Sequence, residues 1–442
     1  MAMRPPRATA LQPSLLRNPN FLALWAAQIL SQTAANALTY ALVVLVFQKT
    51  HLNTASSFLI LLAILPAILF GTLAGVMVDR TDRKLVLVIT NLSRAVAVAL
   101  MLAIGRNDAA AYIVNFLAST ATVFFVPAEA ATIPKIVRKN DLLAANSLFS
   151  FTFNIAFGFG FAVLAPVIIK LFDLEGLFTL LTVMYVVAAG LCALLPKSEP
   201  LDRTLTVEIA AEAAKETRRG MGEAWAYLRS HHGLSWVLVY VSLTYMLIAV
   251  AGALAPGFVT ETLNLQERDV VVLAVPAVVG IVFGLLLLNL VGTRVPRTTA
   301  IHWGLLTTAI ALLALSAARP ALSLVRSILV NGEPQPYFVG WVVVSALVFG
   351  AAYAFITVPS FTMLQEELAD DMRGRIFGVL NTLVSVVSLV PLLVVGAIAD
   401  QFGVGLVLFV AALTVFAVWL IGRTAHLPQT SRPTEGASAA DS

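Results

Sequence analysis

The sequence predicts an all-α polytopic membrane protein, with twelve transmembrane helices in two pseudo-symmetric six-helix bundles. Three observations predict it. Hydrophobic residues make up 59% of the 442 positions and charged residues only 12%, against roughly 25% charged in a soluble domain. Apolar runs of about 20 residues, the length at which a helix crosses the hydrocarbon core, recur along nearly the whole chain. The second half also repeats landmarks of the first. Val126-Pro127, a polar turn and LLAANSLFSF are matched 232 residues later by Val358-Pro359, a polar turn and RGRIFGVLNTL.

The spans fall at 20–47, 56–78, 85–105, 110–134, 143–170 and 174–196, then at 233–258, 270–292, 298–318, 336–360, 373–399 and 402–423. They divide the chain into a first bundle over 1–196, a linker over 197–232, a second bundle over 233–427 and a disordered tail over 428–442. The N-terminus is basic and Pro-rich, and no small-residue cleavage site follows the first span, so that span reads as a retained helix. With the N-terminus inside, 21 of the 28 Lys and Arg fall on one set of loops, which fixes both termini in the cytoplasm. Loop placement also explains the net charge of +4 without a nucleic-acid partner. The linker carries VEIAAEAAKETRRGMGEAWAYLRS, an amphipathic helical pattern broken near Gly220 and Gly222, suited to lying along the membrane surface.

Polar residues inside such spans are costly and mark either helix contacts or a transport path. Gln28, Ser31, Gln32, Ala35, Asn36 and Thr39 share one face of span one. Asn115, Ser119, Thr122 and Glu129 share a face of span four, and Ser150 and Asn154 add polar groups from span five. Each set is read as cavity lining or as glue between helices. Arg94 sits about ten residues into span three, roughly 15 Å deep, and Glu129 about five residues from the end of span four, roughly 8 Å deep. An arginine that snorkels brings the two heads to similar depth, so an Arg94–Glu129 ion pair is expected. It is either static or the site where Glu129 exchanges a proton during a cycle, since desolvation and a neighbouring cation act on a carboxyl in opposite senses. In the second half Trp236, Tyr240 and Thr244 share a face of span seven. Trp341, Ser345 and Phe349 share one on span ten, with Tyr353 near its edge. These suit ring-bearing or amphiphilic cargo, or plain aromatic packing.

Between spans two and three stands GTLAGVMVDRTDRK, with Gly75, Asp79, Arg80, Asp82, Arg83 and Lys84 in one tight turn. Its spacing Gly-x-x-x-Asp-Arg-x-x-Arg-Lys resembles the signature loop of the major facilitator superfamily of secondary transporters. LRNPNFLALWAAQILSQ and VPAEAATIPKIVRKNDLLAANSL are similar to segments of its bacterial macrolide-efflux and enterobactin-exporter group. The resemblance implies the major facilitator fold, with substrate bound between the bundles. It further implies a cytoplasmic gate in which Asp79 faces the start of span eleven. Arg83 would pair with Asp141, or Arg80 with the acidic group Glu366, Glu367, Asp370 and Asp371. The stripe Gln28, Gln32 and Asn36, with Asn115, Asn154, Trp236 and Tyr240, would line the substrate cavity.

Three features depart from the family pattern. Asp82 stands where many signature loops have Gly; Gly292 occupies the second-half position of Asp79; and Gly158, Gly160 and Pro166 form only part of the motif of proton-coupled drug antiporters. The expected activity is export of a small amphiphilic molecule by alternating access, with protons as coupling ion and the bilayer as partner, in a monomer. Import or flipping of a lysophospholipid-like substrate is one alternative, and a non-transporting membrane sensor or assembly factor is another. Enzyme signatures, nucleotide-binding loops and metal-ligand spacing are missing, so no cofactor is expected. His231, His232 and His302 have no assigned role. Cys192 stands alone, which excludes an internal disulfide.

Overall fold

A computed structural model describes residues 15–104, 107–197, 219, 222–223, 225–291, 295–320, 335–367 and 370–424. The tail over 428–442 and most of the linker therefore lie outside the described residues. The linker's described part is helical over 225–230, and Arg219 pairs with Glu223 one turn on at 3.0 Å.

Among the described residues, the long helices of the first half are α1 Pro19–Thr50, α2 Asn53–Arg80, α3 Arg83–Ile104, α4 Asp108–Ile136, α5 Leu142–Gly158 and α6 Ala165–Ala193. Those of the second half are α7 His232–Leu263, α8 Val271–Val291, α9 Arg297–Ser316, α10 Gln335–Glu367, α11 Asp370–Phe402 and α12 Val404–Thr424. Among the described residues ten helical stretches are long and apolar enough to cross a membrane. One of them, Ala144–Ala193, has 50 residues and breaks at Asp173 (φ 58°, ψ −173°), the boundary expected between spans five and six.

Local chemistry sets the ends. Asn18 caps α1, its Oδ1 accepting from the backbone N–H of Asn20 at 3.1 Å and of Phe21 at 3.2 Å, with Pro19 at the first helical position. Asp82 accepts from the N–H of Lys84 at 3.0 Å at the start of α3. The carboxylate that departs from the family loop is thus a helix cap. α1 and α7 both end on a left-handed residue, His51 and Asn264, which are 213 residues apart. The loops after spans two and eight carry the same offset, so the internal repeat reaches backbone conformation.

Packing repeats as well. α4 lies against α2 and α3, and α10 against α8 and α9; α3 lies against α6, and α9 against α12. The two sets of helices meet where α2 lies along α11 and α7, and where the segment after α5 lies against α8. That segment, Phe159–Leu164, is a π-helix, an irregularity no periodicity foretold. It lies close on α1: a Cβ on Gly160 would collide with the carbonyl oxygen of Thr33 and come within 3.1 Å of the Asn36 Cβ. Leu290, Val282, Leu286 and many other large apolar side chains stay exposed, a surface suited to contact with a bilayer.

Candidate functional site

Ser31 is the centre of a polar cluster inside the first set. Its hydroxyl accepts from Arg94 Nη1 at 2.6 Å and donates to Asn91 Oδ1 at 2.8 Å. Asn91 in turn donates to the Leu87 carbonyl at 3.0 Å and reaches the Cys192 sulfur at 3.8 Å, which gives the lone cysteine a place. Arg94 is 1% exposed and lies 5.0 Å from the Phe125 ring and 5.7 Å from the Tyr185 ring. Its Nε and Nη2 have no protein partner.

Glu129 is buried too, with Oε1 unpartnered. The expected Arg94–Glu129 ion pair is not formed: Arg94 turns its head to Ser31 on α1 and sits between two rings instead. Burying a charge with open hydrogen-bond positions costs free energy that a merely structural residue would avoid.

The stripe on α1 splits in two. Gln28 is buried and donates to the Phe149 carbonyl on α5 at 3.2 Å, while Asn36 folds back on the Gln32 carbonyl at 2.7 Å. Gln32 Nε2 is buried without a partner. Asn115, expected to line a cavity, instead joins α4 to α2 through the Leu59 carbonyl at 2.7 Å, because that carbonyl offers an acceptor directly across the helix contact. The side chain of Asn154 lies outside the described residues.

In the second set the rings of Trp236 and Tyr240 lie 5.8 Å apart, tilted at 37° to each other. Tyr240 is fully buried, beside His302 of α9 at 6.3 Å and against Gly422 of α12, so in this conformation it packs inside its own set and not in a shared cavity. Trp341 is half exposed and donates to the Ala314 carbonyl of α9 at 2.9 Å. Tyr353 meets Tyr245 edge-on at 6.4 Å.

At the α2–α3 turn, Arg83 donates to the Ala131 carbonyl of α4 at 2.9 Å and lies 3.6 Å from Asp79 one turn earlier. It takes these partners in place of Asp141, which is itself buried. Asp79 is 66% exposed, and a Cβ on Gly75 would meet nothing within 4 Å. Glu366, an expected partner of Arg80, is claimed by Arg297, whose Nη2 approaches at 2.8 Å. The side chain of Asp371 lies outside the described residues.

A family model described as the Major Facilitator Superfamily matches residues 24–390. The chain belongs to the Major Facilitator Superfamily. It is a multi-pass membrane transporter and not an enzyme. Macrolide efflux protein A of Streptococcus pyogenes is 25% identical over 393 residues, 87% of this chain and 90% of that protein. The protein of the same name from Enterococcus faecalis is 26% identical over 335 residues, 74% of this chain and 95% of that one. Among solved structures, the nucleoside transporter NupG has a TM-score of 0.66 at 12% identity over 91% of this chain and 98% of its own, a likeness of fold alone.

One junction of this superfamily member was not foreseen. On the face opposite the α2–α3 turn, Asp400 of α11 and Glu261 of α7 converge on the first residues of α2. Asp400 accepts from the N–H of Asn53 at 2.6 Å and of Thr54 at 3.0 Å, and from the Thr54 hydroxyl at 2.6 Å. Glu261 accepts from Asn53 Nδ2 at 3.2 Å. The signal was present in GAIAD at 396–400, which repeats the Gly-x-x-x-Asp spacing of Gly75 and Asp79.

Proposed function

We propose that the chain exports small amphiphilic molecules by proton antiport, with both termini in the cytoplasm and a macrolide as the first cargo to test. The observation that carries this reading is that two buried ionisable groups, Arg94 and Glu129, stand in one set of helices without pairing with each other, each with side-chain atoms left unpartnered. Arg94 has two alternative partners. Held by Ser31, it leaves Glu129 free to keep a proton. Released from Ser31, it can reach the Glu129 carboxylate and stabilise its ionised form.

Ser31 lies on α1, the helix that also carries Gln32 and Asn36, so cargo pressing on that stripe would move the group that holds Arg94. Proton release and cargo movement are thereby linked through one hydroxyl. Gln32, Asn36 and Trp236 are the side chains best suited to meet cargo with both polar and ring contacts. The relatives named for macrolide efflux favour export over import.

The test uses inside-out vesicles with an acid interior, a pH-sensitive dye and a panel of macrolides, cationic dyes, siderophores and lysolipids. Alkalinisation by one class in the native protein, lost in Glu129→Gln with cargo binding retained, is the expected result. A folded protein that exchanges protons with no cargo, or a Glu129→Gln variant with the native pH dependence, removes the reading.

A further inference from the structure

α2 and α11 end alike. Gly75-x-x-x-Asp79 closes α2 and Gly396-x-x-x-Asp400 closes α11, and each is followed at the same distance by Leu-Val-Leu, at 85–87 and 406–408. The two helices lie along each other and belong to different sets. Asp79 and Asp400 therefore stand at opposite ends of one helix pair, and Asp400 reaches across the boundary between the sets.

Among the described residues, the α1–α2 end is closed by a cap. α2 has no cap of its own, since Leu52 precedes it and makes no side-chain bond. Three donors of its first turn, two backbone and one hydroxyl, are satisfied by the carboxylate of Asp400. A helix N-terminus holds partial positive charge and open N–H groups, so an ionised aspartate from another helix is a strong and direction-sensitive tie. The backbones come close enough for it because residue 396 is Gly: a Cβ there would stand 2.5 Å from Thr54 Cα and 2.7 Å from the Asn53 carbonyl oxygen. Gly257, one turn before Glu261, admits the Asn53 side chain in the same way.

The other end differs. A Cβ on Gly75 would meet nothing within 4 Å, and Asp79 is mostly exposed and lies beside Arg83 of its own set.

We propose that Asp400 is a positioning residue that caps α2 when the α1–α2 face is closed, and that it opposes, across the α2–α11 pair, the gate that the family resemblance implies for Asp79 at the start of α11 when the α2–α3 face is closed. The two cannot engage together, because straight helices packed at both ends would leave no face open to cargo. Each aspartate is thus a counterweight to the other, and neutralising one tips the balance. The inference rests on alternating access but on neither the cargo nor the proton.

Distances between spin labels test it in the full chain with Cys192→Ala, which removes the native thiol. Labels at Ala109 and Ala317 report the α1–α2 face, and labels at Lys139 and Arg423 the α2–α3 face. Asp400→Asn is expected to lower the ratio of closed to open at the α1–α2 face about tenfold, the worth of a strong charged helix cap. Thr54→Val removes one hydrogen bond without a charge and moves the same ratio less. Asp79→Asn moves it the opposite way, and the double variant lies between the singles.

A folded Asp400→Asn protein whose two distance distributions superimpose on the native ones overturns the proposal. So does a shift of both aspartate variants in the same direction. No cargo or gradient is present, so a chain that exports nothing can still show the opposed shifts. An exporter that ignores Asp400 cannot.

Discussion

The first and second sets of helices join equivalent pairs by different chemistry. α4 is tied to α2 by a hydrogen bond from Asn115 to the Leu59 carbonyl. At the 232-residue offset Asn115 becomes Leu347, and α10 meets α8 through bare backbone. A Cβ on Gly280 would collide with the Leu347 carbonyl oxygen, one on Gly350 with that of Ala277, and one on Gly284 would come within 3.0 Å of Ala354 Cβ. The contrast extends to charge, since Glu129 becomes Phe361 at the same offset. The α8–α10 pair is therefore held by close packing, while polar ties in the second set join α9 to α10. The α2–α4 pair and the Arg94 cluster of the first set are held by polar groups whose partners can be exchanged. A machine built of two pseudo-symmetric parts gains by such a division: one part keeps its shape while the other changes its hydrogen bonds.

The most severe way to break this contrast is Gly350→Val. The obstructing atoms belong to the α8 backbone, the Ala277 carbonyl and the Ile281 nitrogen, and cannot rotate away. Destabilisation beyond about 3 kcal/mol is expected, the upper range for overpacking, seen as loss of the monodisperse peak after extraction in mild detergent. Gly190→Val, where a Cβ meets nothing within 4 Å, is the control and should elute normally. A Gly350→Val protein as stable as the control would mean that α8 and α10 can separate, and that their contact is not the rigid one.

Arg94→Met comes next. It removes a hydrogen bond from a charged donor and two ring contacts while roughly conserving the stem, on the order of 2–3 kcal/mol. The informative readout is its split. Membrane insertion and cargo binding should persist, whereas cargo-driven proton movement should disappear as it does in Glu129→Gln. Coupling that survives Arg94→Met would place the exchangeable chemistry elsewhere and weaken the contrast between the sets.

How much of this was legible beforehand depends on range. Spans, turns and the repeat follow from local signals: runs of apolar residues, Val-Pro pairs and charged loops. Arg94 and Glu129 stood out because charge is rare in a span. Their partners did not, since Ser31 and the Phe125 and Tyr185 rings reach Arg94 from three other helices. Tyr240 likewise looked like cavity lining until α12 came to lie against it. Asp400 was missed for another reason. The parallel register of the repeat gives Gly292 as the second-half counterpart of Asp79. The matching spacing sits at the far end of α11, on the opposite face, where a parallel register does not point.

Asn115→Leu is the mildest change and the sharpest comparison, because it gives α4 the residue that α10 already has at that position. It deletes one hydrogen bond between membrane helices, about 0.6–1 kcal/mol, and leaves the Leu59 carbonyl with its own helical donor. A small fall in thermal midpoint with native transport is expected. The reason lies in the neighbours: α2 has no glycine at this contact, so leucine cannot recreate the close backbone approach of α8 and α10. Adding Leu59→Gly would supply the space. If the double variant recovers the native midpoint, polar tie and close packing are interchangeable solutions to one helix pair. If the loss instead deepens by the cost of a helical glycine, roughly 1 kcal/mol, the hydrogen bond is required at α2–α4. The asymmetry between the sets would then be fixed by the backbone path and not by the choice of a single side chain.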